Sequence, residues 1–215
     1  MTLEDEKQLA ANCAAQMVHD GMRVGLGSGS TVTYLLDELA RRNPDVIYVA
    51  SSPTTEKRAR ALGLKVTDFY ELSELDIAID GADQIAPDGW LVKGGGAALT
   101  REKIIACSSA RFVVIADSSK LVDALHPPLP LELLKFGIAA TSLRIGPLSL
   151  RDVAPSPDHG VIGDYLGEVN PPSALAGRLS NIAGVIEHGL FEPALIDEIL
   201  VGVSGEVRHI YPGGK

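Results

Sequence analysis

Cysteine is nearly absent: Cys13 and Cys107 are the only two in 215 residues, and nothing near them has the paired spacing of a metal site. A disulfide framework is excluded. The two thiols, each in a helix-like stretch, are expected to be free and buried, in a reducing compartment. The five histidines (His19, His126, His159, His188, His209) are dispersed with no i, i+4 pair, so each is read as a surface or structural residue and no metal or other cofactor is expected. Basic blocks are also missing. With 19 Lys and Arg against 28 Asp and Glu, the net charge is -9, and no segment could neutralise a run of phosphates. This excludes nucleic acid as partner but not a small anion held by a few local cations. No apolar run approaches the ~18 residues of a membrane span, and residues 1–7 are acidic with no apolar leader core. A soluble, cytoplasmic protein with no membrane partner is expected.

What is present is an ordinary globular composition, 46% hydrophobic and 22% charged, and the chain is long enough for one large or two small domains. It is organised around Lys93-Gly94-Gly95-Gly96-Ala97-Ala98-Leu99-Thr100-Arg101-Glu102. Successive glycines cost folding entropy, so they mark a backbone that must take φ > 0 or approach something a Cβ would exclude. They lie between a short apolar run, Trp90 to Val92, and a helix that starts near Ala97 and is expected to bury Leu99, Ile104 and Ile105. A helix N-terminus favours an anion. With Lys93 before the loop and Glu102 in the first turn, the stretch reads as an anion cradle with a cation and a base beside it. The structural alternative is a sharp strand-to-helix turn with a glutamate that only complements the dipole.

An earlier loop, Gly25-Leu26-Gly27-Ser28-Gly29-Ser30-Thr31, joins a strand (Met22 to Leu26) to a helix (Val32 to Arg42). Ser30 stands where a dinucleotide fingerprint needs its third glycine, and the next strand (Val46 to Ala50) ends in Ser51-Ser52 rather than in an acid. No Walker lysine follows either. The remaining N–H and hydroxyl donors suit one phosphate, or only cap the helix.

Before this loop, Leu3 to Val18 has helical spacing. After it, Ser52 and Pro53 open a helix that Gly63 stops. Leu64 to Thr67 and Leu75 to Ile79 read as strands, and the second ends in Asp80-Gly81-Ala82-Asp83-Gln84, two carboxylates at a strand's carboxyl end. Arg111 to Ala116, a nearly continuous apolar strand, ends in Asp117-Ser118-Ser119-Lys120. Four strand ends thus bring glycines, hydroxyls, carboxylates and a cation to one sheet edge, where α/β proteins bind ligands. Pro127 to Pro130 reads as a stiff connection into a segment of short strands with one helix, about Pro172 to Ile182. Leu200 to Val203 and Val207 to Tyr211 read as closing strands around Ser204-Gly205.

Together these motifs resemble the type A ribose-5-phosphate isomerase family. The matching stretches are Gly25 to Thr31, Ser51 to Lys57, Asp80 to Asp83, Lys93 to Ala106, Asp117 to Lys120 and Pro128 to Glu132, with a weaker match from Gly184 to Phe191. The resemblance implies metal-independent interconversion of ribose 5-phosphate and ribulose 5-phosphate through a cis-enediolate. By the same resemblance, Glu102 would be the base and Lys93 would stabilise the enediolate oxygen, with Asp80 and Asp83 holding hydroxyls and helping to open the ring. Ser28, Gly29, Ser30, Thr31, Gly81, Ala82, Gly94, Gly95, Gly96, Lys120 and Lys7 would bind the sugar phosphate, in a homodimer or homotetramer.

The expected fold is α/β: a parallel-sheet Rossmann-like main domain (1–127 and 191–215) with a small α+β subdomain (128–190). Gln84 stands where the family usually has glutamate, a change expected to tune Asp83. Pro157 to Ile162 replaces a usual Asp-Asn-Gly-Asn run, and residues 136–156 match weakly. The competing readings are a sugar-phosphate sensor, for which no DNA-binding extension precedes Met22, and a related sugar-phosphate enzyme on the same fold.

Overall fold

The computed structural model describes residues 1–212. The chain forms two compact units, one built from residues 1–82 and 101–120 and the chain from Pro193 onward, the other from residues 83–100 and 121–192. Residues 83–100, the glycine stretch included, therefore belong to the second unit.

The first unit is a six-stranded sheet, in the order β13-β12-β6-β3-β1-β2. Its strands are β1 (Arg23–Leu26), β2 (Ile47–Ala50), β3 (Ile77–Asp80), β6 (Phe112–Asp117), β12 (Glu198–Val203) and β13 (Glu206–Ile210). All pairs are parallel except the β12–β13 hairpin. Ser204 and Gly205, at φ 50° and 96°, make its turn, as a tight two-residue hairpin requires. β6 is buried along its whole length, which accounts for its apolar run: a central parallel strand has no solvent face. The carboxyl ends of β1, β2, β3 and β6 share one edge, as the alternation predicts.

Helices α1 (Leu3–Ala15), α2 (Ser30–Arg42), α3 (Pro53–Ala61) and the part of α4 (Leu99–Cys107) from Arg101 onward belong to this unit. Each starts or packs for a local reason. Thr2 and Asp5 close a capping box on α1, which buries Ala10, Ala11, Ala14 and Ala15. α2 buries Val32, Leu35, Leu36 and Leu39 on one stripe. Ser52 caps α3, with Pro53 at its first position.

The second unit holds a four-stranded antiparallel sheet, in the order β10-β7-β9-β8, and a three-stranded one, β11-β5-β4. The strands are β4 (Gln84–Ile85), β5 (Leu91–Val92), β7 (Leu129–Leu133), β8 (Leu148–Leu150), β9 (Val161–Tyr165), β10 (Val185–His188) and β11 (Leu190–Phe191), with helices α5 (Ile138–Ile145) and α6 (Pro172–Ser180). Leu129, Leu131, Leu133, Ile145, Leu175 and Leu179 share its core.

Several expectations fail locally. Leu64 to Thr67 forms only a single bridge, Val66 to Tyr48. The apolar run before the glycines does form a strand, β5, and it pairs in the small antiparallel sheet, a choice that a run this short carries no period to announce. Pro130 lies within β7 opposite Asp164, and its carbonyl accepts from Gly189 N at 2.8 Å. Ile104 is exposed while Ile105 is buried. Cys13 is half-buried and Cys107 exposed, so neither is a buried thiol. α5 was unanticipated: its Leu143 is 85% exposed, which hides the helical stripe.

On the first turn of α1, Glu6 is buried and accepts from Ser118 Oγ (2.6 Å), Ser118 N (3.0 Å) and Ser204 N (3.4 Å). The Ser118 hydroxyl, then its N–H, hold the Glu6 carboxyl below the ordinary glutamate range. A carboxylate depressed on folding contributes stability above its unfolded value, and that contribution disappears as pH falls through the folded one. Urea unfolding between pH 7 and pH 3 should therefore show Glu6→Gln less stable than wild type at neutral pH, with a shallower acid loss. Equal slopes would mean that these donors do not favour the charged form.

Candidate active site

In the first unit the site is built from the ends of β1 and β3. Gly27, just past β1, donates to Ile79 O at 2.9 Å, and a Cβ on it would overlap the Asp80 carboxylate, so only glycine lets that side chain lie against the loop. Asp80, the last residue of β3, is buried, and its Oδ1 accepts from Ser28 N (2.9 Å) and Gly81 N (2.7 Å). Ser28 Oγ in turn donates to Glu102 Oε1 at 2.6 Å. Glu102 lies in the first turn of α4 and is 4% exposed. One residue thus bonds two buried carboxylates from different elements.

The rest of this loop offers donors. Gly29, at φ 95°, opens α2 with no side chain to cap it; Ser30 is exposed and Thr31 buried. The loop is also held from behind. Thr55 Oγ1 donates to Gly27 O at 2.9 Å, and Ser52 Oγ lies 3.0 Å from the Thr55 hydroxyl. The capping role of Ser52 is legible in the sequence; the bond of Thr55 to the β1 loop, 28 residues away, is not. Lys120 is half-buried at the end of the short turn Ser118–Lys120. Glu6 holds that turn from one side, and Asp117 Oδ1 accepts from Ser119 N at 2.9 Å. Lys7 forms an ion pair with Glu4 on its own helix at 2.7 Å, and Glu4 also accepts from Tyr34 OH at 2.6 Å.

The second unit carries Asp83, Lys93 and the glycine loop. The β4–β5 ladder sets Asp83 N on Val92 O (2.8 Å), which brings the exposed Asp83 carboxylate to Gly95 N, also at 2.8 Å. Lys93 is 2% exposed; its N–H donates to Gly189 O at 2.9 Å, and Nζ lies 5.3 Å from the centroid of the Phe191 ring, a cation–π distance. Gly94 takes φ 101°, and a Cβ there would meet Leu99 and Pro130 at 2.9 and 3.0 Å. Gly94 thus meets both demands expected of a glycine here, a positive φ and a close approach.

Gln84 has a structural role of its own. Its side chain is buried and pairs with the His126 backbone in both directions, Nε2 donating to His126 O (2.8 Å) and Oε1 accepting from His126 N (2.9 Å). A glutamate carboxylate could not make the first bond. The turn at residues 156–160, where the sequence departs from the family pattern, is organised by Ser156 Oγ, which accepts from Asp158 N and Gly160 N and donates to Glu132. Buried Glu132 also accepts from Thr100 Oγ1, on the second residue of α4, at 2.5 Å. A glutamate inside an apolar strand was the one available signal for this anchor. Arg151, in the weakly matched stretch, donates to Gly94 O (3.3 Å) and Gly95 O (3.0 Å); nothing in the sequence pointed to it. Among the described residues no group of three His, Cys, Asp or Glu is arranged to hold a metal ion.

Residues 47–206 match the family model of ribose 5-phosphate isomerase A (phosphoriboisomerase A). The ribose-5-phosphate isomerase A of Rhodopseudomonas palustris (strain HaA2) is 42% identical over 225 aligned positions, which cover 95% of this chain and 97% of that protein. The protein of that name from Caulobacter vibrioides (strain NA1000 / CB15N) is 38% identical, with 99% and 100% covered. The crystal structure of ribose 5 phosphate isomerase A from Neisseria gonorrhoeae superposes with a TM-score of 0.93 at 30% identity, over 98% of both chains. These three relatives are named as isomerases, which places catalysis ahead of sensing, and their matches span both units. This chain belongs to the ribose 5-phosphate isomerase A family.

Proposed function

We propose that this chain interconverts D-ribose 5-phosphate and D-ribulose 5-phosphate through a cis-enediolate, with Glu102 as the base. The observation that carries this reading is the Glu102 carboxylate itself, buried in the first turn of α4 and oriented by the Ser28 hydroxyl at 2.6 Å. A base held at one angle meets the positional demand of proton transfer.

Glu102 takes the C2 proton of the open-chain aldose, the C–H electrons form the C1–C2 double bond, and O1 becomes the oxyanion. Glu102 then returns the proton to C1, the O2 proton passes to O1, and the O2–H electrons form the C2–O2 double bond of the ketose. Lys93 and N–H groups of the Gly94–Gly96 loop stabilise the oxyanion, the kind of preorganised electrostatic help that dominates many enzymes. Asp80 and Asp83 hold sugar hydroxyls and assist ring opening. Ser28, Gly29, Ser30, Thr31 and Lys120 take the phosphate, with Lys7 as a further cation and Gly81 and Ala82 lining the site.

In excess chelator the wild type should turn over. Glu102→Gln should bind substrate within a few-fold of wild type and lose about 10²- to 10⁴-fold in kcat, the usual contribution of a general base. A variant with wild-type kcat would remove Glu102 from the reaction. Lys120→Ala should raise KM about tenfold or more with little change in kcat, the size of a lost charge-assisted hydrogen bond. Unchanged KM would take Lys120 out of the phosphate site.

We also propose a cytoplasmic homodimer or homotetramer. Phe136 and Leu143, 87% and 85% exposed, are large apolar side chains of the kind that subunit interfaces cover. Sedimentation equilibrium should give two or four times the 22.7 kDa chain mass; a monomer at micromolar concentration would overturn the assembly.

A further inference from the structure

Three successive glycines leave the peptide planes between them free to rotate at little cost, whereas an oxyanion site needs donors already aimed before the charge develops. Something outside the loop must set those planes. Arg151 directly follows β8, and its own N–H donates to Ile162 O at 2.9 Å, which fixes the backbone it springs from. Its side chain is fixed as well: Nε and Nη2 bind the two Asp164 carboxylate oxygens on β9 at 2.8 and 2.7 Å. The remaining nitrogen, Nη1, reaches Gly95 O at 3.0 Å and Gly94 O at 3.3 Å. Only a guanidinium can hold a carboxylate with two nitrogens and still extend a third to carbonyl oxygens in the same plane.

In a trans peptide the C=O and the following N–H point in opposite directions. Holding the carbonyls of Gly94 and Gly95 toward Arg151 therefore turns the N–H groups of Gly95 and Gly96 away from it. The Gly95 N–H goes to Asp83 Oδ2 at 2.8 Å. We infer that Arg151 is a positioning residue for the isomerisation: it locks two consecutive peptide planes, so that the Gly95 N–H orients Asp83 and the Gly96 N–H is presented, with Lys93, to the developing oxyanion. The oxyanion part rests on the isomerase reading above; the locking of the loop does not.

The test uses the full chain and the variants Arg151→Gln, Arg151→Lys and Asp164→Asn. It reads kcat and KM, the inhibition constant of inorganic phosphate, thermal unfolding, and the ¹H–¹⁵N resonances of Gly95 and Gly96 in ligand-free protein. Arg151→Gln should lower kcat by about 10- to 100-fold, below the full loss of an oxyanion donor because the N–H groups remain but are no longer aimed. KM and phosphate inhibition should stay within about twofold, because the phosphate donors are untouched. The Gly95 and Gly96 resonances should shift, with Arg151→Lys intermediate and Asp164→Asn moving the same two signals.

Wild-type kcat in a folded Arg151→Gln, or a fall in kcat with both resonances unmoved, would overturn the inference. If that variant does not fold, unchanged kcat and resonances in Arg151→Lys and Asp164→Asn would do so. A wild type without turnover whose glycine resonances still move in Arg151→Gln would instead defeat the isomerase reading and leave the loop clamp standing.

Discussion

The hydrogen bond from Ser28 Oγ to Glu102 Oε1, at 2.6 Å, joins the loop after the first strand to helix α4, which carries the proposed base. Its backbone N–H meanwhile holds Asp80 at the end of β3. Such an arrangement exists only because β1 and β3 are adjacent and parallel, with Leu26 opposite Ile79, so that the loop and the aspartate emerge at the same level of the sheet. Gly27 completes it by leaving room for the Asp80 carboxylate. A one-residue slip of this register would turn the side chains to the opposite face and separate Ser28 from its acceptor.

Buried carboxylates recur through the fold, each supplied with donors, as the cost of burying a charge demands. Asp80 has two backbone N–H groups, Glu6 has Ser118 and Ser204, and Glu132 has Thr100 and Ser156. Glu198 is the structural member of the set. Burial pushes its carboxyl up, and hydrogen bonds from His209, Tyr211 and Arg111 together outweigh that, leaving it below its ordinary value. Glu6 and Glu132 each hold a segment that carries a proposed site residue. The first steadies the turn that carries Lys120, the second the start of the helix that carries Glu102.

The two departures from the family pattern have local explanations. Gln84 makes an amide-to-backbone pair with His126 that requires a donor as well as an acceptor. The turn at residues 156–160 supplies a hydroxyl to Glu132, and His159, at φ 67°, closes it. The weakly matched stretch before that turn is where Arg151 lies, so low similarity there conceals a guanidinium that grips the glycine loop.

Local chemistry was legible in the sequence. Ser52 and Pro53 announce α3, the apolar stripe of α2 is regular, and Ser204-Gly205 announces the closing hairpin, because caps, periodicity and turn residues act over a few positions. The glycine loops, the two aspartates and Glu102 were legible for the same reason, and the resemblance joined them into one chemistry. The sequence by itself thus determined the helix starts, the parallel core strands and which residues stand as candidates for the reacting groups. Tertiary structure alone decided that residues 83–100 side with the second unit, that Trp90 to Val92 feeds a small antiparallel sheet, that Thr55 holds the loop after β1, that Glu132 holds the start of α4, and that Arg151 holds the glycine loop. Each of these depends on strand pairing or on contacts between residues 28 to 57 positions apart, and no local rule of propensity reaches that far.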